Sequence, residues 1–237
     1  MVFRADLHIH SCLSPCASLE MSPSAIVKRA LESGMNCLAL TDHNCALNCA
    51  VMEKLCNKEG IFFLPGLEVC TEEEAHVVCL FDSTESALAL NNIVYEKLPR
   101  VKNIPEKFGD QVYVNEHEEI EGSVEKYLGL ASTITVEQLR QTVYDLGGLF
   151  IPAHVDKPVF SIVSQLGFLS GEYSAVEIAN PNRADYTLNR MIAPYSVICS
   201  SDSHYLHQIG SKKITFEMPE ASFASLKDVL ENRKIQL

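Results

Sequence analysis

The chain has 237 residues, 47% of them hydrophobic and 21% charged, and a formal net charge of -12. Those proportions belong to a globular protein, and no apolar run approaches the ~20 residues that span a bilayer, so a membrane partner is not expected. A chain this acidic lacks the broad Lys and Arg footprint that holds duplex nucleic acid, so no duplex footprint is expected either.

Val2-Phe3-Arg4-Ala5 reads as a strand almost at once, so no export signal is expected. The nine cysteines are odd in number and spread along the chain, which speaks against a disulfide framework and for a reducing, cytoplasmic setting. Ser22-Pro23 caps a helix whose stripe is Ile26, Val27, Ala30 and Leu31 and which stops at Gly34. Asn36–Leu40 is an apolar run of the buried-strand type, Leu47–Lys58 a second helix ended by Gly60, and Ile61–Leu64 a third strand. His76–Phe81 reads as a fourth strand and Ser86–Leu98 as a helix. The rhythm then breaks from Pro99 to Ser132, a stretch expected to be an insertion built as a hairpin plus loop.

Thr135 with Gln138 at the capping-box position starts another helix, ended by Gly147-Gly148, and Leu149–Ala153 leads to His154. Helices over Val159–Leu166 and Arg183–Met191 alternate with strands over Ala175–Ala179 and Ser196–Cys199. Ile214–Phe216 is a final strand and Ser222–Asn232 a closing amphipathic helix. Repeated βα units with short connections predict parallel strands and right-handed crossovers.

In an extended run, side chains alternate, so within Asp6-Leu7-His8-Ile9-His10-Ser11 the two histidines project to one side and Leu7 and Ile9 to the other. Paired imidazoles on a rigid strand suit zinc, manganese or iron. Polar residues recur just after apolar strands: His8 and His10, Asp42 and His43, Glu68, His154, then Asp202 and His204. In a parallel α/β sheet or barrel the C-terminal strand ends share one face, so these distant residues should converge there. His76 opens its strand and must arrive from a short turn after Glu68.

With four spaced motifs in order, Asp6-Leu7-His8-Ile9-His10-Ser11, Thr41-Asp42-His43, Pro152-Ala153-His154 and Ser201-Asp202-Ser203-His204, and Gly66-Leu67-Glu68 between the second and third, the chain resembles the PHP (polymerase and histidinol phosphatase) superfamily. The resemblance implies an α/β fold, a distorted (β/α)7 TIM-like barrel of the PHP type in one domain over residues 1–237, with an insertion around 99–132. It also implies two or three divalent ions (Zn, Mn or Fe) held by His8, His10, His43, Glu68, His76, His154, Asp202 and His204. Glu68 would bridge two ions, with His8, His10 and Asp202 on one, His76 and His154 on the other, and His43 and His204 on a third. The ninth family position, usually Asp or His, is Cys16, which is either a soft ligand favouring zinc or iron or a small loop residue beside an empty site.

The implied activity is hydrolysis of a phosphomonoester or of a nucleotide or oligonucleotide phosphate by a metal-activated hydroxide, with Glu68, Asp202 and His204 as catalytic groups. The implied partner is a small phosphorylated substrate or nucleotide. Lys157 and Arg183 closely follow strand ends and are candidate phosphate ligands, with plain surface charge as the other reading. The alternative function is a non-catalytic, metal-stabilised PHP module acting in binding or regulation. Nothing in the sequence sets the oligomeric state.

Further readings rest on the residues alone. Cys12, Cys16, Cys45 and Cys49 form two Cys-x3-Cys pairs that would either hold a separate metal centre or simply fill core positions. His207 is a supporting or a surface histidine, and His117 is expected to be solvated. Glu72-Glu73-Glu74 reads as a hydrated loop, and Asp6 and Asp42 as groups that orient an imidazole.

Overall fold

A computed structural model describes residues 1–182 and 185–237; Arg183 lies outside the described residues. Strand β1 (Val2–Asp6), helix α1 (Pro23–Glu32), β2 (Cys37–Leu40), α2 (Cys49–Lys58) and β3 (Phe62–Cys70) form two crossovers, with β1, β2 and β3 parallel. Ser22 caps α1 as its spacing predicts, its side chain accepting from the Ala25 amide.

The parallel rhythm is interrupted after β3, a correction to the sequence expectation. Thr71 donates to the Ala75 carbonyl, reversing the chain within five residues, too few for a crossover, so β4 (His76–Leu80) lies antiparallel to β3. Helices α3 (Thr84–Lys97) and α4 (Pro105–Phe108) follow, then a hairpin of β5 (Val112–Val114) and β6 (Ile120–Ser123), α5 (Val136–Asp145) and β7 (Leu149–Pro152), which is antiparallel to β4. The last third is α6 (Ile162–Leu166), β8 (Val176–Glu177), α7 (Tyr186–Ile192), β9 (Val197–Ile198), β10 (Ile214–Glu217), α8 (Phe223–Glu231) and β11 (Ile235–Gln236).

The main sheet has seven strands in the order β11-β10-β1-β2-β3-β4-β7, with β10 antiparallel on β1. Backbone hydrogen bonds carry it further. Ser174 donates to Phe150 and Val155 to Glu177, joining β7 to β8; Val176 donates to Ser196, joining β8 to its parallel neighbour β9. Beyond β9, His10 donates to Ser203 at 3.0 Å and Ser203 to His8 at 3.3 Å, so the chain returns to the continuation of β1. The sheet therefore curls towards its own first strand.

Alternation along the strands separates two apolar clusters. Leu38, Leu40, Val77 and Cys79 pack against α1, α2, α3 and α5, while Cys37, Ala39, Val78 and Leu80 face the other way with residues of α8. Leu7 joins the second cluster and Ile9 the first, so the strict alternation expected around His8 breaks just after β1 ends at Asp6.

Residues 99–132 carry the expected hairpin and are anchored to the motif loops. Leu98, Val124 and Leu128 pack with Leu13 and Cys45, and Val112 and Val114 with Cys12. The helix expected over 159–166 is shorter: Ser161 caps it and α6 begins at Ile162, leaving Val159 and Phe160 in an exposed loop. The helix expected from Arg183 starts at Tyr186, capped by Asp185. Among the described residues, no helix is long and apolar enough to cross a membrane.

Candidate metal centre

Six of the eight histidines meet at the rim where β1, β2, β3, β7 and β9 end and β4 begins. The parallel bridge between Ile9 and Ser203 holds the His8-His10 segment against the Asp202-His204 segment, and the bridge between His43 and Glu68 joins the second motif to β3. Three non-glycine residues in or beside the motifs take positive φ: Asn44 at 52°, His154 at 30° and Asp202 at 54°. Such conformations are unfavourable and persist only where surrounding bonds enforce them. For Asn44 those bonds are visible: its side chain donates to the Leu128 and Leu130 carbonyls and accepts from the Cys70 amide.

Glu68 is the centre of the cluster and is buried. Its Oε1 lies 3.0 Å from His76 Nδ1, 3.2 Å from His154 Nε2 and 3.3 Å from His8 Nε2; its Oε2 lies 2.9 Å from His43 Nδ1 and 3.5 Å from His10 Nε2. Asp202 Oδ1 is 3.5 Å from His8 Nε2 and 3.3 Å from His10 Nε2, and His204 Nδ1 meets the Asp202 carbonyl oxygen at 2.9 Å. Three sets of donor atoms are each close enough to share an ion: His8, His10 and Glu68; His43, Glu68 and His76; His10, His43 and His204.

The fit to cations rests on atoms left over. His8 Nε2, His10 Nε2, Glu68 Oε2 and His154 Nδ1 are buried with no hydrogen-bond partner. Leaving one such atom desolvated costs about 1–3 kcal/mol, so those of His8, His10 and Glu68, whose donor atoms lie close enough to share an ion, call for a group that satisfies them together. Neutral imidazoles and a carboxylate are the donor set of zinc, iron or manganese.

The electrostatics favour a bound positive charge. Burial alone would push the Glu68 carboxyl up, but His76, His8 and His43 hold it well below the usual carboxylate range. Burial would push His8 down, yet Glu177, Glu68 and Asp202 hold it well above its ordinary value. His10 goes the other way: burial, then His204 and His43, keep it neutral.

Cys16 is the one exposed cysteine; the other eight are buried. Its thiol faces His204 and His43, and although burial of the sulfur raises its pKa, those two imidazoles bring it down to about 6. Its three partners in the supposed four-cysteine centre lie elsewhere. Cys12 Sγ points at the Val112 carbonyl and Cys49 Sγ at that of Gly66, and among the described residues no cysteine joins a ligand cluster.

Lys157 reaches the centre by a route the sequence did not indicate, its Nζ pairing with Asp202 Oδ2 at 2.5 Å. A cavity of about 190 Å³ lies over the cluster, lined by His43, Glu68, His76, His154, Lys157, Val159, Phe160, Asp202 and His204.

Asp6 and Asp42 do not bond an imidazole. Asp6 accepts from the Ser201 and Gly210 amides, and Asp42 accepts from the Ser11 amide and hydroxyl and the Ser14 hydroxyl. Asp42 reaches the cluster at one remove, since Ser14 Oγ meets His10 Nδ1 at 3.0 Å and accepts from the His43 amide. The group that does orient an imidazole is Glu177, which accepts from His8 Nδ1 at 2.9 Å and from the His154 amide at 3.1 Å. No motif marks Glu177; its one local signal is an acidic residue inside the apolar run Ala175–Ala179.

His207 is exposed and stacks on Tyr205, and His117 is exposed, so both are surface residues. Glu73 of the acidic run accepts from the Val136 amide at the start of α5.

The family model of the PHP domain matches residues 6–177. The chain is 34% identical over 105 residues to a 3',5'-nucleoside bisphosphate phosphatase of Chromobacterium violaceum, covering 42% of this chain and 36% of that one. It is 36% identical over 88 residues to a 5'-3' exoribonuclease of Haemophilus influenzae, covering 35% and 31%. The alignments thus span about a third of the length of the curated relatives they match. Among solved structures, a lesion-specific endonuclease of Pyrococcus furiosus superposes with a TM-score of 0.71 at 20% identity, covering all of this chain and 58% of that one.

Proposed function

The chain belongs to the PHP domain family, and from that premise we propose that it is a metal-dependent phosphoesterase that hydrolyses a phosphomonoester or a nucleotide or oligonucleotide phosphate. The observation that carries the reading is Glu68, buried within 3.5 Å of five imidazoles, with its own Oε2 and the Nε2 atoms of His8 and His10 unsatisfied. We read residues 1–237 as one domain, a distorted (β/α)7 barrel with 99–132 inserted. The backbone bonds that bring β8 and β9 back to β1 support that reading.

His8, His10, His43, Glu68, His76, His154, Asp202 and His204 would hold two or three divalent ions, and Cys16 faces the His43 and His204 side. Bound there, zinc, iron or manganese supplies Lewis acidity toward water and the phosphoryl oxygens. The protein's own groups do the rest. Lys157, released from Asp202, neutralises a phosphate oxygen. Where no ion occupies the His43 and His204 side, His204, whose Nδ1 is held by the Asp202 carbonyl, presents Nε2 to pass a proton to the departing oxygen. The rigid backbone of the motif loops keeps these groups in register, so little ordering is left for the moment of reaction.

The net charge of -12 supports a small or single-stranded phosphorylated substrate over a duplex. The test is a panel of a nucleoside monophosphate, a nucleoside 3',5'-bisphosphate, a short single-stranded oligonucleotide and a duplex, each offered to protein loaded in turn with zinc, manganese and iron. Release of phosphate or mononucleotide, abolished by a chelator, is expected from the first three. Hydrolysis of none of the four would overturn the reading in favour of a non-catalytic module.

A further inference from the structure

Phe160 stands at the mouth of the cavity in a conformation that its burial does not explain. Its φ is 53°, in the left-handed region that bulky side chains rarely enter, and its side chain remains 45% exposed. Val159 beside it is 53% exposed, and both line the cavity over Glu68. An aromatic ring held in an unfavourable backbone geometry and left half in water gains little for the fold, which directs attention to what the ring touches.

One face of the ring lies on His76, with centroids 5.0 Å apart and planes within 20° of parallel. The loop that carries it is tightly tied. Lys157 donates to the His154 carbonyl at 2.8 Å, the Ser161 hydroxyl donates to the Lys157 carbonyl at 2.9 Å, and the Phe160 carbonyl accepts from the His76 amide at 3.0 Å. The same short loop therefore delivers an ammonium group to Asp202 and a flat ring to the adjacent rim. A cation beside an aromatic platform is the pairing by which proteins hold a phosphate and the base next to it.

Resting on the phosphoesterase reading above, we propose that Phe160 is the platform on which the nucleobase of a nucleotide substrate stacks while its phosphate enters the cavity beside Lys157. The substrate class is thereby narrowed from phosphate esters at large to those bearing a planar ring one sugar away from the scissile phosphate. Because any base has a π-face, the platform selects for a base without selecting which one. Preorganisation of the loop means the ring need not be ordered on binding.

The experiment compares AMP with ribose 5-phosphate, which carries the same sugar and phosphate without the base, in metal-loaded wild-type protein, Phe160→Leu and Phe160→Trp. Wild type is expected to favour AMP in kcat/KM by tenfold or more, Phe160→Leu to lose about tenfold of that ratio, and Phe160→Trp to keep it. Adenosine, which has no phosphate, should compete in wild type and about tenfold more weakly in Phe160→Leu. Equal use of both esters by wild type, or an unchanged ratio in Phe160→Leu, overturns the platform and leaves the phosphoesterase reading standing. Hydrolysis of neither ester, nor of the wider panel, removes that reading itself. Metal content measured on each variant separates loss of stacking from damage to His76.

Discussion

His8 and Glu177 lie 169 positions apart, yet His8 Nδ1 meets Glu177 Oε2 at 2.9 Å in the buried interior. That bond fixes the imidazole so that Nε2 points into the cluster with Glu68 and Asp202. Carboxylates in this position set the tautomer and raise the basicity of a ligating histidine. Glu177→Ala is expected to weaken zinc binding by about 10- to 100-fold, with Glu177→Gln intermediate, as read by calorimetric titration of metal-free protein. Equal affinity in all three proteins would remove Glu177 from the centre.

Glu68 touches more of the cluster than any other residue named here. Glu68→Gln keeps the shape and removes a charge that raises His43 and, after Glu177, His8 above their ordinary values. We expect bound metal to fall to about a tenth of wild type by elemental analysis, and hydrolysis to fall at least in proportion. Full metal content in the variant would contradict a central role for this carboxylate.

Asp42 accepts three hydrogen bonds, from the Ser11 amide at 2.6 Å, the Ser11 hydroxyl at 2.6 Å and the Ser14 hydroxyl at 2.7 Å. Asp42→Ala strands those buried donors and should destabilise the fold by about 3 kcal/mol in urea unfolding. Because Ser14 also contacts His10 and His43, metal affinity should fall as well. A change under 1 kcal/mol would show that water replaces the carboxylate without loss.

Cys16 should be the one cysteine that iodoacetamide labels in the native, metal-free protein, since the other eight are buried. With its pKa lowered from an ordinary 9.0 to about 6, its thiolate is half formed near pH 6 and dominant above pH 7. The labelling rate should therefore rise between pH 5 and 7 and then level off, where an ordinary thiol would still be accelerating. Zinc should protect it if the sulfur binds metal, and cobalt-loaded protein should show a thiolate charge-transfer band that Cys16→Ser lacks. Labelling unaffected by zinc would assign Cys16 to the loop alone.

Chelation should abolish hydrolysis and also lower stability, because ions bind the folded cluster and not the unfolded chain. At free metal about a thousand times the dissociation constant the gain is about 4 kcal/mol, visible as a shift of the denaturant midpoint between loaded and stripped protein. Identical midpoints would mean that the cluster does not bind the ion tested.

The histidines, Glu68 and Asp202 were legible in the sequence because local patterns place them: apolar runs end in polar residues, and capping and glycine signals such as those at Ser22, Thr135 and Gly34 mark where each helix starts or stops. What those patterns do not carry is strand direction. The reversal at β4, set by a five-residue turn, brings His76 in from the start of its strand and breaks the parallel order that repetition suggests. Nor do they carry contacts between distant segments, which is why Glu177 at His8, Lys157 on Asp202 and Phe160 on His76 emerge only in three dimensions. Residue type and spacing determine which chemistry is on offer. Which atoms meet depends on how the curled sheet returns to its first strand, a long-range closure that no local window of sequence encodes.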